Sequence, residues 1–319
     1  MNLIEEAVIV DLFGIKMYAF GAYVALGAVF ALTVLFFSGH MLSLKPGTAP
    51  LTFVVSAVCG ILVSRISFCL LNRELGRMTP LSFWPQLAGG GFSMFGLIGG
   101  IYTGGVISAK IMKERIGKVI DSLSLAVLPL IAAERFGESR IEDFDISRPL
   151  DNTFLSGSFL ATGGDEPCLA TYYVASAAAV ALFLALTFRL VRKKRQGDLT
   201  VAFLLLFGAS AIITESLRYD RFLSISFVGL QQIAAALMLA MGIILAARRS
   251  NRPKSVLSVA AMLSIPLMAG IVIGLEFALD RTTWNKILIY ALMILTVSIP
   301  AALGMILINN KKEGIIPRE

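Results

Sequence analysis

Nine apolar runs divide this chain, near residues 17–37, 51–71, 90–112, 119–137, 170–191, 199–217, 226–247, 256–277 and 287–309. A helix needs about 20 predominantly apolar residues to cross the hydrocarbon core of a bilayer. In lipid every backbone N–H and C=O must be paired within the protein, which leaves helices and closed barrels as the spanning structures. The alternation that marks a barrel strand is absent from all nine runs, so they predict α-helices. Hydrophobic residues make up 57% of the 319 and charged residues 15%, with a mean hydropathy of +0.81. A soluble domain of this length does not have that balance. The predicted fold class is all-α, a polytopic membrane bundle of nine transmembrane helices.

The loops between the runs alternate in charge. One set holds Lys45; Lys110, Lys113, Arg115 and Lys118; Arg189, Arg192, Lys193, Lys194 and Arg195; Arg248, Arg249, Arg252 and Lys254; and Lys311, Lys312 and Arg318. The acidic residues there are Glu114, Asp121, Asp198, Glu313 and Glu319. Cytoplasmic loops retain positive charge, so the N-terminus is expected outside and the C-terminus inside. Anchoring at anionic lipid accounts for the net charge of +7, and nothing points to nucleic acid. Residues 1–16 carry Glu5, Glu6 and Asp11 rather than a basic leader, and are expected to be retained as an arm along the outer interface. A single histidine, His40, leaves no material for a His-based metal centre or triad. Cys59, Cys69 and Cys168 form no CxxC pair, and neither a metal nor a cofactor is expected.

Within this apolar background three arginines stand at one expected depth. Arg65 lies six residues before the end of the second run, on the order of 9 Å below the outer boundary at the helical rise. Arg135 ends the fourth run, and Glu215 and Arg218 end the sixth. The third and seventh runs start on the same side, which brings Ser93, Phe95 and Gln232 to that level. A cation buried in a membrane is costly enough to require a partner. Pairing with Glu134, Glu138 and Glu215 as structural glue is one reading of each arginine taken singly. As a set, the three predict a pocket for an anionic headgroup.

Glycine crowds the third run and its approach, from Gly89-Gly90-Gly91 through Gly96, Gly99-Gly100 and Gly104-Gly105. Gly96, Gly100 and Gly104 recur at i+4, a spacing that lets a neighbouring helix come close. Gly90 and Gly91 precede the run, where bare backbone N–H groups at a helix N-terminus face a phosphate readily.

Five short segments, in order over residues 16 to about 247, resemble the prolipoprotein diacylglyceryl transferase family. Lys16-Met17-Tyr18-Ala19-Phe20 is similar to I-R-W-Y-G, and Ser64-Arg65-Ile66-Ser67-Phe68 to A-R-L-G-Y. Gly90-Gly91-Phe92-Ser93-Met94-Phe95-Gly96 resembles G-G-M-S-F-H-G, and Glu134-Arg135-Phe136-Gly137 the start of G-R-x-G-N-F-x-N-G-E. Thr214-Glu215-Ser216-Leu217-Arg218 with Val228-Gly229-Leu230-Gln231-Gln232-Ile233 resembles V-E-F-F-R followed by S-M-G-Q-I. The resemblance implies a bacterial inner-membrane, multi-pass enzyme. Its reaction would transfer the diacylglyceryl group of phosphatidylglycerol to the thiol of a lipobox cysteine in a preprolipoprotein, releasing glycerol 1-phosphate. It implies that Arg135 and Arg218 clamp the phosphate, and that Arg65, Gly90, Gly91, Ser93, Phe95, Glu215 and Gln232 contribute to the substrate pocket. Residues 17–247 would form the family's seven-helix domain, and residues 248–319 would add two further helices and a short tail.

The chain also departs from that pattern. The family histidine falls on Phe95, which can neither take a proton nor donate a hydrogen bond. The two asparagines of the signature fall on Glu138 and Ile141, and its acidic position on Asp143. Of the family's P-S-Q-L-Y-E only Pro167-Cys168-Leu169-Ala170-Thr171-Tyr172-Tyr173 stands in place, without the Gln and Glu. A thiol needs a base, and Glu134, Glu138, Glu142 and Asp143 are the carboxylates beside Arg135. Glu138 and Asp143 are the candidate catalytic pair. Two functions follow: the transferase, or a catalytically silent phospholipid-binding paralogue or lipid-handling membrane protein.

Overall fold

The computed structural model describes residues 8–12, 15–71, 92–140, 160–162, 168–192, 196–218, 224–225, 228–250 and 255–309. Among them are nine helices long and apolar enough to span a membrane. They are α1 (Ala19–Met41), α2 (Thr48–Leu71), α3 (Met94–Ile111), α4 (Ile116–Gly137), α5 (Thr171–Val191), α6 (Asp198–Leu217), α7 (Leu230–Arg249), α8 (Val256–Arg281) and α9 (Lys286–Asn309). A 3-10 turn, Glu138–Arg140, continues α4. Three short antiparallel hairpins join them: β1 (Val8–Leu12) with β2 (Ile15–Tyr18), β3 (Ala161–Thr162) with β4 (Cys168–Leu169), and β5 (Ser224–Ile225) with β6 (Val228–Gly229).

The chain divides into two compact units, Met1–Leu199 with Leu217–Leu223, and Thr200–Ser216 with Ser224–Glu319. In the first unit α4 is the central helix, with Leu123, Leu125, Val127, Leu128 and Ile131 at most 3% exposed. It packs on α1, α3 and α5. Pro129 removes one backbone donor from α4, a loss that neighbouring helices make tolerable in a membrane. Gly27 of α1 meets this stretch, where an added Cβ would lie 2.7 Å from Cβ of Ala133. Outward, Leu26, Val29, Phe30, Phe36 and Phe37 of α1 are exposed, as a lipid-facing stripe requires.

The i+4 glycines of α3 face α2. A Cβ on Gly104 would lie 2.5 Å from Cα of Ser56, and one on Gly100 2.7 Å from Cα of Gly60. Close backbones gain dispersion contact that lipid cannot match. Hydroxyls bridge the same helices: Thr52 Oγ1 and Ser108 Oγ share a hydrogen bond of 2.9 Å, and Ser56 Oγ donates to the Ile101 carbonyl at 3.0 Å. Ser38 of α1 reaches Ser122 of α4 at 2.5 Å, and Tyr102 of α3 reaches Ser124 at 2.6 Å.

At the opposite end of these helices from Arg65, two loops lock together. The Lys45 backbone N–H donates to Glu114 Oε1 at 2.8 Å, and Lys45 Nζ donates to the Met112 and Lys113 carbonyls at 3.1 and 2.9 Å. That backbone bond, helped by the Arg115 N–H and the Lys118 and Lys45 ammonium groups, holds the Glu114 carboxyl below its ordinary range. Gly197, at φ +83°, turns the chain into α6 in a left-handed conformation that glycine adopts freely, and its N–H donates to Asp121 Oδ2.

In the second unit α7 is central. Ala235, Leu239, Ile243 and Ala246 are fully buried, and α8 and α9 both pack on it. Glycines again set the approach: a Cβ on Gly208 of α6 would lie 2.7 Å from the Leu239 nitrogen, and one on Gly304 of α9 2.6 Å from Leu205. Helix α8 runs four residues past its apolar run, because Ala278, Leu279 and Arg281 are good helix formers that carry it on.

Candidate functional site

In the first unit a polar clasp forms where α2, α3 and α4 meet. Ser93 caps α3 by accepting from the Gly96 N–H at 3.2 Å, which satisfies a donor that a helix start leaves open. Its own N–H donates to the Ser64 carbonyl at 3.3 Å, while Ser64 Oγ donates to the Ser93 carbonyl at 2.7 Å. This double link fixes the residues on either side. Arg65, next to Ser64, is 4% exposed with its guanidinium 5.5 Å from the Phe92 ring centroid, at the outer edge of cation–π range. Met94, next to Ser93, turns its sulfur to Arg135 Nη2 at 3.0 Å. Phe95 follows on the first turn, half-buried.

Arg135 is held from three directions on the last turn of α4. Its Nη1 donates to both oxygens of Glu138, at 2.9 and 3.2 Å, and its Nε lies 3.6 Å from Glu134 Oε2. Arg135 and Glu138 are each 4% exposed, so this is a desolvated ion pair rather than a solvated surface contact. Arg218 follows α6, and its Nη2 comes within 3.7 Å of Glu138 Oε1. One carboxylate is therefore shared by two guanidiniums. Two forks converging on one oxyanion make the geometry in which arginine holds phosphate or carboxylate. Aromatic rings border the turn: Phe136 lies 5.3 Å from Tyr23 and 5.6 Å from Tyr173, centroid to centroid.

The second unit holds a separate polar group at the start of α7. With its amide nitrogen facing the carboxylate, as hydrogen bonding demands, Gln231 donates to both oxygens of Glu215 at 3.1 Å. Gln232, 2% exposed, donates through Nε2 to Glu276 Oε1 at 2.8 Å and to the Ile212 carbonyl at 3.4 Å. Glu276 lies in α8 and is fully buried. Tyr290 of α9 donates to the Ser216 carbonyl at 3.3 Å.

A family model described as prolipoprotein diacylglyceryl transferase matches residues 7–248, three-quarters of the chain. The chain belongs to the prolipoprotein diacylglyceryl transferase family. A comparison with curated proteins returns no match. Membership means that the family's activity is diacylglyceryl transfer to prolipoproteins in a membrane, which agrees with the nine apolar helices. Helices α8 and α9 begin beyond the matched residues.

Of the residues expected at the prolipoprotein diacylglyceryl transferase site, Arg65, Ser93, Phe95, Arg135, Glu138 and Arg218 lie in the first unit, and Glu215 and Gln232 in the second. Gly90, Gly91 and Asp143 lie outside the described residues. Sequence reasoning passed over Ser64, Met94, Gln231 and Glu276. A carboxylate alone in an apolar run marks a functional position by default, and that signal was available for Glu276.

Proposed function

We propose that the protein transfers the diacylglyceryl group of phosphatidylglycerol to the cysteine thiol of a lipobox and releases glycerol 1-phosphate. The observation that carries this reading is the sharing of the buried Glu138 carboxylate by Arg135 and Arg218. In the reaction the sulfur forms a bond to the terminal glycerol carbon of the diacylglyceryl group, and the bond from that carbon to the phosphate oxygen breaks. The thiol proton passes to a base, and the departing phosphate gains negative charge. Two guanidiniums aimed at that phosphate stabilise the charge as it builds. Arg65 adds a third cation beside the Ser64–Ser93 clasp. Ser93 and Phe95, with Gly90 and Gly91, line the approach of the headgroup.

Glu138 sets the spacing of the clamp, and Glu138 and Asp143 are the proposed proton acceptors for the thiol. The site faces the outer leaflet of the bacterial cytoplasmic membrane, with the N-terminus outside and the C-terminus inside. Phe95, standing where the family carries a histidine, favours the second reading, a silent phospholipid-binding relative.

One assay separates the two. Purified protein in phosphatidylglycerol micelles with a lipobox peptide is expected to lipidate the peptide and release glycerol phosphate in equal amounts, both lost in Arg135→Ala. Lipid bound with neither product formed would overturn the transferase reading.

A further inference from the structure

The end of α4 carries two carboxylates, and they meet Arg135 at different nitrogens. Glu138 is engaged at Nη1 through both oxygens, at 2.9 and 3.2 Å, and Arg218 Nη2 comes to 3.7 Å from the same group. Glu134 lies on the Nε side, with its Oε2 at 3.6 Å, too far for a hydrogen bond. Neither oxygen of Glu134 accepts a hydrogen bond from the described residues. Oε2 is enclosed, so the 21% exposure of this side chain belongs to its other atoms, whereas Glu138 is 5% exposed. A carboxylate oxygen that holds guanidinium N–H groups takes a proton only by giving up those bonds, and one without them is open to it. The same chain has Phe95, which handles no proton, where the family motif has histidine, and it gains Glu134 where the motif has glycine.

We propose that Glu134 is the base for the thiol, accepting through Oε1 the proton that the lipobox cysteine loses. The inference rests on the proposed function and refines its proton step, placing Glu134 ahead of Glu138 and Asp143. Sulfur displaces the phosphate oxygen at a saturated carbon, so the thiol arrives from the side opposite the phosphate. A base lying in the phosphate seat is on the wrong side of that carbon. Glu138 lies in that seat, shared by Arg135 Nη1 and Arg218 Nη2. Glu134 stands beside the clamp without occupying it, and a phosphate that displaces Glu138 from Nη1 leaves Glu134 at Nε. The thiol proton goes to Glu134, a sulfur electron pair forms the bond to carbon, and the electrons of the broken C–O bond leave on the phosphate oxygen. The protonated Glu134 then loses its proton to water, ready for the next turnover.

A substrate that needs no base supplies the test. Full-length protein in phosphatidylglycerol micelles, under reductant, is given one lipobox peptide in two forms, with cysteine or with selenocysteine. The selenol is already ionised at neutral pH, whereas the thiol must lose its proton to become the nucleophile. Glu134→Gln is expected to slow lipidation of the cysteine peptide by roughly 100-fold or more, the contribution of a general base, and that of the selenocysteine peptide by no more than a few-fold. Glu138→Gln, which disturbs the clamp, should slow both alike. A merely structural role for Glu134 would also slow both alike, so equal losses with the two peptides, or no loss, overturn the inference. A cysteine-specific loss in Glu138→Gln but not in Glu134→Gln overturns it too. If Glu134→Gln does not fold, Glu134→Gly, which carries the residue of the motif, must show the cysteine-specific loss, and its absence is equally fatal. Wild type that lipidates neither peptide removes the transferase reading, and the inference falls with it. Wild type that lipidates both, with Glu134→Gln indifferent to the peptide, keeps that reading and removes the inference alone.

Discussion

Replacing Glu138 by Gln removes the carboxylate shared by Arg135 and Arg218 while keeping its volume. At an effective dielectric of about 20, the contacts at 2.9 and 3.7 Å correspond to gross attractions of about 6 and about 4.5 kcal/mol. Desolvation of the carboxylate offsets much of this, and removing one partner of a buried pair costs roughly 3–5 kcal/mol. Glu134, 3.6 Å from Arg135 Nε, still neutralises part of the charge, so a loss near about 3 kcal/mol is expected. The informative measurement is the unfolding free energy of wild type and Glu138→Gln in micelles doped with phosphatidylcholine or with phosphatidylglycerol. If the two arginines form an anion clamp, an anionic headgroup takes over from the missing carboxylate. The gap between the proteins should then shrink by half or more in phosphatidylglycerol. A gap of the same size in both lipids would refute the clamp, and no gap in either would refute the energetic role of Glu138.

Gly100→Ala should force α2 and α3 apart by about 1 Å, since 2.7 Å to Cα of Gly60 must widen toward ordinary carbon contact, at a cost of roughly 1–3 kcal/mol. Thermal unfolding in detergent reads the loss, and the exposed-side control Gly99→Ala, with nothing within 4 Å, should be silent. Glu114 gives a pH dependence. Its folded value lies below the ordinary 4.5, so its tie to the Lys45 N–H is fully present above that value and is lost as pH falls through the depressed one. Exchange of the Lys45 amide, corrected for intrinsic rate, should accelerate in acid in wild type, whereas Glu114→Gln should show no such step.

How far the sequence could be read follows from the range over which each interaction acts. Nine helices were legible because a bilayer demands some 20 apolar residues in succession, a local property. The α2–α3 contact was legible in the i+4 glycines, for the same reason. Arg135 and Glu138 are three residues apart on adjoining turns, so their pairing was also within reach of spacing. By contrast, the Met94 sulfur against Arg135 and the Ser64–Ser93 clasp join helices with 29 to 41 residues between partners, and no periodicity encodes them. Hairpins of two-residue strands leave too short a pattern to detect. The partner of Gln232 lay beyond the resemblance altogether, 44 residues on in α8.

The polar side chains of the first unit also bear on how the chain enters a bilayer. Ser38 Oγ donates to the Val34 carbonyl at 2.7 Å and Ser124 Oγ to the Ile120 carbonyl at 2.8 Å, each within its own helix. Their bridges to other helices come in addition to those bonds. Arg135 travels with Glu134 and Glu138 as near neighbours in its own segment. Helices α1 and α4 thus arrive in lipid with Ser38 and Ser124 already bonded and Arg135 already countered, before any other helix has come alongside. At these positions insertion precedes assembly without a naked polar group in hydrocarbon, and the bridges between helices are added to bonds already made.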